Sequence, residues 1–230
     1  MNSLRYFVLF SLVLAGCQNQ ADDPMAPYEG LSAAKTYQKA KLLEKQGSTK
    51  ESSDAYAALR AFHPESTLVK KSLIESLKMN FKNKKYEETI AISDRILTWY
   101  PATKLAETAY FYKGKALLAK HRSWFQTQMN VPDANLSKQK LLEARLAFSH
   151  ISGDNLSKYS SEAKEKISLI NSYLAQHEIN VANYYLKRAH FAAAKERAKV
   201  ALAMDKSVHK AAMKILRLVK KGETGRGAAW

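Results

Sequence analysis

Residues 182–206 read Ala-Asn-Tyr-Tyr-Leu-Lys-Arg-Ala-His-Phe-Ala-Ala-Ala-Lys-Glu-Arg-Ala-Lys-Val-Ala-Leu-Ala-Met-Asp-Lys, and this stretch decides the fold. Ala182 and Tyr185 close one apolar stripe, and Phe191, Ala194, Ala198 and Ala201-Leu202 open a second at helical spacing. Small side chains recurring where two helices would cross allow their backbones to approach closely. The stretch therefore predicts a close-packed helical hairpin.

Working outward, two earlier units follow the same logic. One runs through Ala40, Leu43, Ser52, Tyr56 and Leu59 to Phe62-His63-Pro64; the other through Tyr86, Thr89, Ile90, Ser93 and Ile96 to Trp99-Tyr100-Pro101. Their prolines lie 37 residues apart (101 minus 64). Each proline ends a second helix because it has no N–H to donate. These units resemble the tetratricopeptide repeat, a helical hairpin with an aromatic on its first helix, another at the turn, small residues at the crossing and a closing proline. In the late unit Lys206 stands where that proline would be.

A third unit starts at Leu105, Ala109 and Tyr112 but loses its period around Trp124 to Asn135, where Pro132 lies. Its second helix is expected to resume near Ser137, to use Leu141, Leu142, Arg145, Leu146 and Phe148, and to end at Gly153-Asp154-Asn155. From about Ser160, Ile167, Ile170, Leu174, Val181 and Tyr185 lie on one stripe and predict the longest helix of the protein, the stripe being core. The expected fold is all-α, a tetratricopeptide-like helical-hairpin solenoid of about five repeats. Its divisions are N-terminal repeats over 31–121, an irregular loop over 122–136, C-terminal repeats over 137–218 and a basic tail over 219–230. A stack of such hairpins leaves a concave surface suited to a peptide or partner segment.

The chain has 230 residues, 46% hydrophobic and 25% charged, enough apolar material for a real core. Residues 1–16 read as an export signal, with Arg5 followed by the apolar run Tyr6 to Leu14, too short to span a bilayer. The run ends in Leu14-Ala15-Gly16-Cys17, which resembles the lipobox of bacterial lipoproteins and makes Cys17 the expected lipid attachment site. Acyl chains anchor by burying methylenes, so membrane attachment needs no transmembrane helix. Gln18 stands where an Asp would favour inner-membrane retention in lipoproteins, which points to the outer membrane. Residues 17–30, with Asp22, Asp23, Pro24 and Pro27, read as a flexible tether between lipid and repeats.

Net charge is +16; without residues 1–16, which hold Arg5 and no acid, 36 basic residues face 21 acidic ones, leaving +15. Such a balance fits an acidic protein partner or anionic lipid, and export argues against nucleic acid. The excess is densest late: Lys187 to Arg226 holds twelve Lys or Arg against Glu196, Asp205 and Glu223. The six histidines, at 63, 121, 150, 177, 190 and 209, are scattered singly, and Cys17 is the only cysteine, so no metal site is expected. There is no nucleophile elbow, phosphate-cradling glycine loop or dinucleotide fingerprint, and no cofactor or catalytic residue is expected. Glu75, Glu107, Glu143 and Glu178 read as solvated helix-face acids, not as the paired carboxylates of a glycosidase.

The run Leu174-Ala-Gln-His-Glu-Ile-Asn-Val-Ala-Asn-Tyr-Tyr-Leu-Lys-Arg188, with Phe191, Ala194 and Arg197, resembles the BamD (ComL) family of outer-membrane assembly lipoproteins. Tyr86-Glu-Glu-Thr-Ile90, Asp94-Arg95-Ile96-Leu97 and Trp99-Tyr100-Pro101 match its second repeat, and the lipobox falls at the same place. The resemblance implies five tetratricopeptide-like repeats on the periplasmic face of the outer membrane. It implies N-terminal repeats that receive the C-terminal targeting segments of unfolded barrel proteins and a C-terminal half that docks on the periplasmic domains of the barrel insertase. Other assembly lipoproteins are implied as further partners. Tyr184, Tyr185, Arg188 and Arg197 would then lie at or near the insertase interface. Residues 122–136 depart from the family in lacking its Asp-rich third-repeat stretch. The alternative is another repeat lipoprotein, such as a secretin pilotin or a cell-division coordinator, sharing anchor and solenoid but not the insertase.

Overall fold

The structure, a computed structural model, describes residues 23–127 and 134–227. The expected signal over 1–16, Cys17 and the first part of the tether lie outside the described residues. Nine α-helices follow one another among those described: α1 (Ala33–Lys45), α2 (Thr49–Phe62), α3 (Leu68–Lys82), α4 (Tyr86–Trp99), α5 (Lys104–Thr127), α6 (Ala134–Ser152), α7 (Ser160–Lys187), α8 (Phe191–Met204) and α9 (His209–Gly227). Each packs on its neighbours in sequence, with α3 also reaching α5 and α7 reaching α9. That nearest-neighbour order is the solenoid architecture. The 28-residue α7 is the longest of the described helices, as its stripe predicts.

Three of the four hairpins turn in the same way. Gly47, Lys84 and Ala189, each one residue past the cap of a first helix, adopt left-handed backbone at φ 81°, 60° and 59°. In each case that residue and the next donate their N–H groups back into the helix end. Gly47 and Ser48 bond Glu44 and Leu43, Lys84 and Lys85 bond Phe81 and Asn80, and Ala189 and His190 bond Leu186 and Tyr185. This arrangement satisfies carbonyls that the helix terminus would otherwise leave free. Gly47 meets the conformation without steric cost, whereas Lys84 and Ala189 carry a Cβ into it at about 1 kcal/mol each.

The crossings use the small residues that the sequence supplies. Ser52 is fully buried and donates its hydroxyl to the Ala40 carbonyl of α1 at 2.9 Å, so a polar atom sits at the first crossing without an unmet bond. Thr89 and Ser93 return their hydroxyls to Lys85 and Thr89 carbonyls one turn back. In the fourth hairpin Ala194, Ala198 and Ala201 are fully buried against Ala182 and Ile179. Between α5 and α6 the approach is closer still: a Cβ on Gly114 would lie 2.8 Å from the Phe148 ring. Where earlier units end in proline, the fourth uses Asp205, whose carboxylate accepts from the Ser207 N–H at 2.6 Å and starts a short 3-10 turn.

Three expected boundaries shift. The 17–30 tether gives way before α1: residues 26–28 form a 3-10 turn, and Tyr28 is buried in the first hairpin, its hydroxyl donating to the Glu51 carbonyl at 3.1 Å. The 122–136 loop is narrower than expected, because α5 continues through Thr127 and α6 begins at Ala134; residues 128–133, with Pro132, lie outside the described residues. Residues 122–127 contain no Gly or Pro, so a helix already nucleated propagates through them although their apolar period fades. The basic tail assigned to 219–230 is part of α9 as far as Gly227, with Val219 buried and Gly222 pressed against Phe191. The count of about five repeats resolves into four hairpins among the described residues, closed by the single helix α9.

Candidate functional site

The structure places the four expected interface residues on the last turn of α7, its cap and α8, and it does not gather them into one cluster. Tyr184 is 52% exposed. Arg188, the cap residue of α7, lays its guanidinium over the Tyr184 ring at 3.7 Å from the centroid. A cation at a helix C-terminus also meets the negative end of the helix dipole. The stack leaves a planar, forked donor resting on an exposed ring, the residue types that dominate protein interfaces. Tyr185 turns the other way: it is half-buried against the core of the fourth hairpin, with its ring edge-on to Tyr184 and to His190.

Arg197 is engaged inside the fold. Its Nη1 donates to Oε2 of Glu178 at 3.0 Å, and Lys138 of α6 donates to the other carboxylate oxygen at 2.6 Å. Glu178 is only 1% exposed, so it is not the solvated helix-face acid that its sequence context predicts. Burial alone would raise its carboxyl, but the hydrogen bonds and charges of Lys138 and Arg197 outweigh burial and hold it below its ordinary value. One carboxylate thus ties α6, α7 and α8 together. Beside it, both ring nitrogens of His177 are buried without a hydrogen-bond partner among the described residues, and burial lowers its pKa from the usual 6.5. No local sequence signal marks Glu178. Its partners come from 40 residues before it and 19 residues after it.

Two further surface features were not singled out from sequence. A groove of about 490 Å³ opens between α4, α5 and α6, walled by Leu97, Tyr110, Leu146 and His150, with the Tyr110 and His150 rings stacked at 4.2 Å and Lys113 bonded to Asp94 across its rim. On α4, Arg95 rests over the exposed Trp99 ring, and on α2 Arg60 has a buried guanidinium nitrogen. Among the described residues no three or more His, Cys, Asp or Glu side chains converge as metal ligands would, and no helix is long and apolar enough to cross a membrane.

Fold and surface together define a class: an all-helical repeat protein of the tetratricopeptide type. More particularly, the chain belongs to the YfiO family of outer membrane lipoproteins, which it matches over residues 30–221. It is similar to proteins named outer membrane protein assembly factor BamD. It is 26% identical to that of Xylella fastidiosa strain 9a5c over 195 residues, covering 81% of this chain and 64% of the relative. It is 24% identical to that of Caulobacter vibrioides over 214 residues, covering 93% of this chain and 67% of the relative. It is 22% identical to that of Pasteurella multocida over 196 residues, covering 84% and 74%. The matched region spans under two thirds of the Xylella relative's length.

Proposed function

We propose that this chain is a lipoprotein scaffold of a machinery that assembles β-barrel proteins into the outer membrane. Cys17 carries the lipid and holds the repeats on the periplasmic face. The N-terminal repeats over 31–121 receive C-terminal segments of unfolded outer-membrane proteins. The C-terminal repeats over 137–218 dock on the periplasmic domains of the barrel insertase, with other assembly lipoproteins as further partners. The observation that carries the docking half is the exposed Tyr184 ring with Arg188 stacked on it, set in the most basic part of the chain. A guanidinium fork held by an aromatic is pre-organised for an acidic partner surface. Family membership and the assembly-factor names of the relatives support the same reading.

The test is affinity purification of the tagged full chain from detergent extract, with the insertase as readout, beside Tyr184→Ala and Arg188→Glu. Arg197→Glu is the poorer variant, since it would also set a second carboxylate against Glu178. Recovery by the wild type and loss in either variant supports both the reading and its interface. Recovery by all three relocates the interface. If the wild type recovers a secretin or a division protein instead, the assembly reading falls and the pilotin-like or division-coordinator alternative replaces it.

A further inference from the structure

Arg60 lies two residues before the end of α2, and burial hides its Nη1 completely without a hydrogen-bond partner among the described residues. Among the described residues, no acid lies within ion-pair distance of either Arg60 or Arg95. Helix spacing confirms why: the positions three and four residues away are Tyr56, Ala57, His63 and Pro64 for Arg60, and Ala91, Ile92, Thr98 and Trp99 for Arg95. The nearest acid in sequence, Asp94, is committed to Lys113 at 2.5 Å. Burial, and then the like charge of Arg95, push the Arg60 guanidinium down to about 10. A desolvated cation beside a second cation is costly unless an anion completes the site.

The surroundings suit such an anion. Arg95 rests its guanidinium 5.7 Å from the Trp99 ring centroid, and Trp99 is 54% exposed, so the fork is held and its outer edge stays open. Lys70 lies over the ring of Tyr100, the next residue, and adds a third cation at this end of the hairpins. A carboxylate has two oxygens, enough for one bidentate fork. A phosphoryl group presents three or more and can serve two forks at once. Phe62 and Trp99 stand at equivalent positions of the first and second repeats, both exposed, and exposed aromatics beside arginines are the composition of a lipid headgroup region.

We propose that Arg60 and Arg95, with Trp99 beneath the second, form a binding site for a phosphoryl oxyanion, supplied by a phospholipid headgroup or by free phosphate. The site lies on α2 and α4, apart from the α7–α8 surface proposed for docking, and stands whether or not that proposal does.

The experiment is thermal melting of the full chain in non-ionic detergent. One arm compares sodium phosphate with sodium chloride at matched ionic strength; the other compares dihexanoyl phosphatidylglycerol with dihexanoylglycerol, which has the same acyl chains and no phosphoryl group. The wild type is expected to rise by about 2–4 °C with a saturating phosphoryl probe. A rise in the lipid arm alone assigns the headgroup, and a rise with inorganic phosphate assigns the free anion. Arg95→Gln, at the exposed edge, and Arg60→Met abolish the response. Arg60→Met without probe melts at or above the wild type, because it removes a buried unpaired charge. Phosphate also stabilises proteins generally by exclusion from their surface, so a rise that survives both substitutions overturns the proposal. No rise with either probe overturns it as well.

Discussion

Arg197 and Arg60 both project from second helices of their hairpins, α8 and α2, and their settings are opposite. Arg197 keeps an exposed side chain and gives one N–H to a buried carboxylate that Lys138 also serves. Arg60 buries a guanidinium nitrogen and has no acid near it among the described residues. The first region is electrostatically complete, because one anion meets two cations across three helices. The second has two cations and, among the described residues, no anion. In the same basic chain, positive charge does structural work at one end and remains uncommitted at the other.

The largest test of this contrast is the pair Glu178→Ala and Arg60→Met. Removing Glu178 strands two cations at a junction of three helices and empties a buried position, and should cost about 3 kcal/mol by urea unfolding. Arg60→Met removes a buried charge that no acid among the described residues compensates and should be neutral or stabilising by about 1 kcal/mol. Opposite signs are the expectation. Equal losses would mean that Arg60 has a compensating partner and that the contrast is false. Arg197→Ala, which leaves Glu178 with Lys138, should fall between them at about 1–2 kcal/mol of loss.

Acid should attack the complete region selectively. His177 and Glu178 are both held below their ordinary values, His177 by burial and Glu178 by its two cations. A group with a lowered folded pKa binds protons more readily once unfolded. Its contribution is therefore whole above the unfolded value and is lost as pH falls through the folded one. The loss starts below about 6.5 for His177 and below about 4.5 for Glu178. The urea midpoint of the wild type should be lower at pH 5.5 than at pH 7.5, and His177→Gln should shrink that difference. An unchanged pH dependence in the variant would place the acid sensitivity elsewhere.

Where charges compensate also marks how far the sequence could be read. The hairpins were legible because crossing residues such as Ser52, Thr89 and Ala194 repeat at helical spacing, and because Pro64 and Pro101 stop helices visibly. The turns were less so: one of three identical left-handed turns uses glycine, and Lys84 and Ala189 give no local hint. Glu178 looked solvated because helix periodicity reports the face, not what packs on it from α6 and α8. Of the four expected interface residues, Tyr184 and Arg188 do come together, while Arg197 is claimed by that unforeseen acid. Arg60 and Arg95 could not be paired in advance, since 35 residues separate them and neither carries a motif.

The smallest expected effects separate the two regions most sharply. Arg188 on Tyr184 and Arg95 on Trp99 are the same device, a guanidinium over an exposed ring at 3.7 and 5.7 Å, on rings of nearly equal exposure. Such exposed stacks contribute about 0.5–1 kcal/mol, so Arg188→Gln and Arg95→Gln should each shift the urea midpoint only slightly and by similar amounts. Stability cannot distinguish them, but ligands should. Arg188→Gln is expected to weaken insertase recovery and keep the phosphoryl-dependent rise in melting temperature, whereas Arg95→Gln should do the reverse. A variant that loses both responses would join the two surfaces into one site. If the two variants exchange phenotypes, the two stacked arginines have been assigned to the wrong ligands, and the phosphoryl site lies at the end of α7.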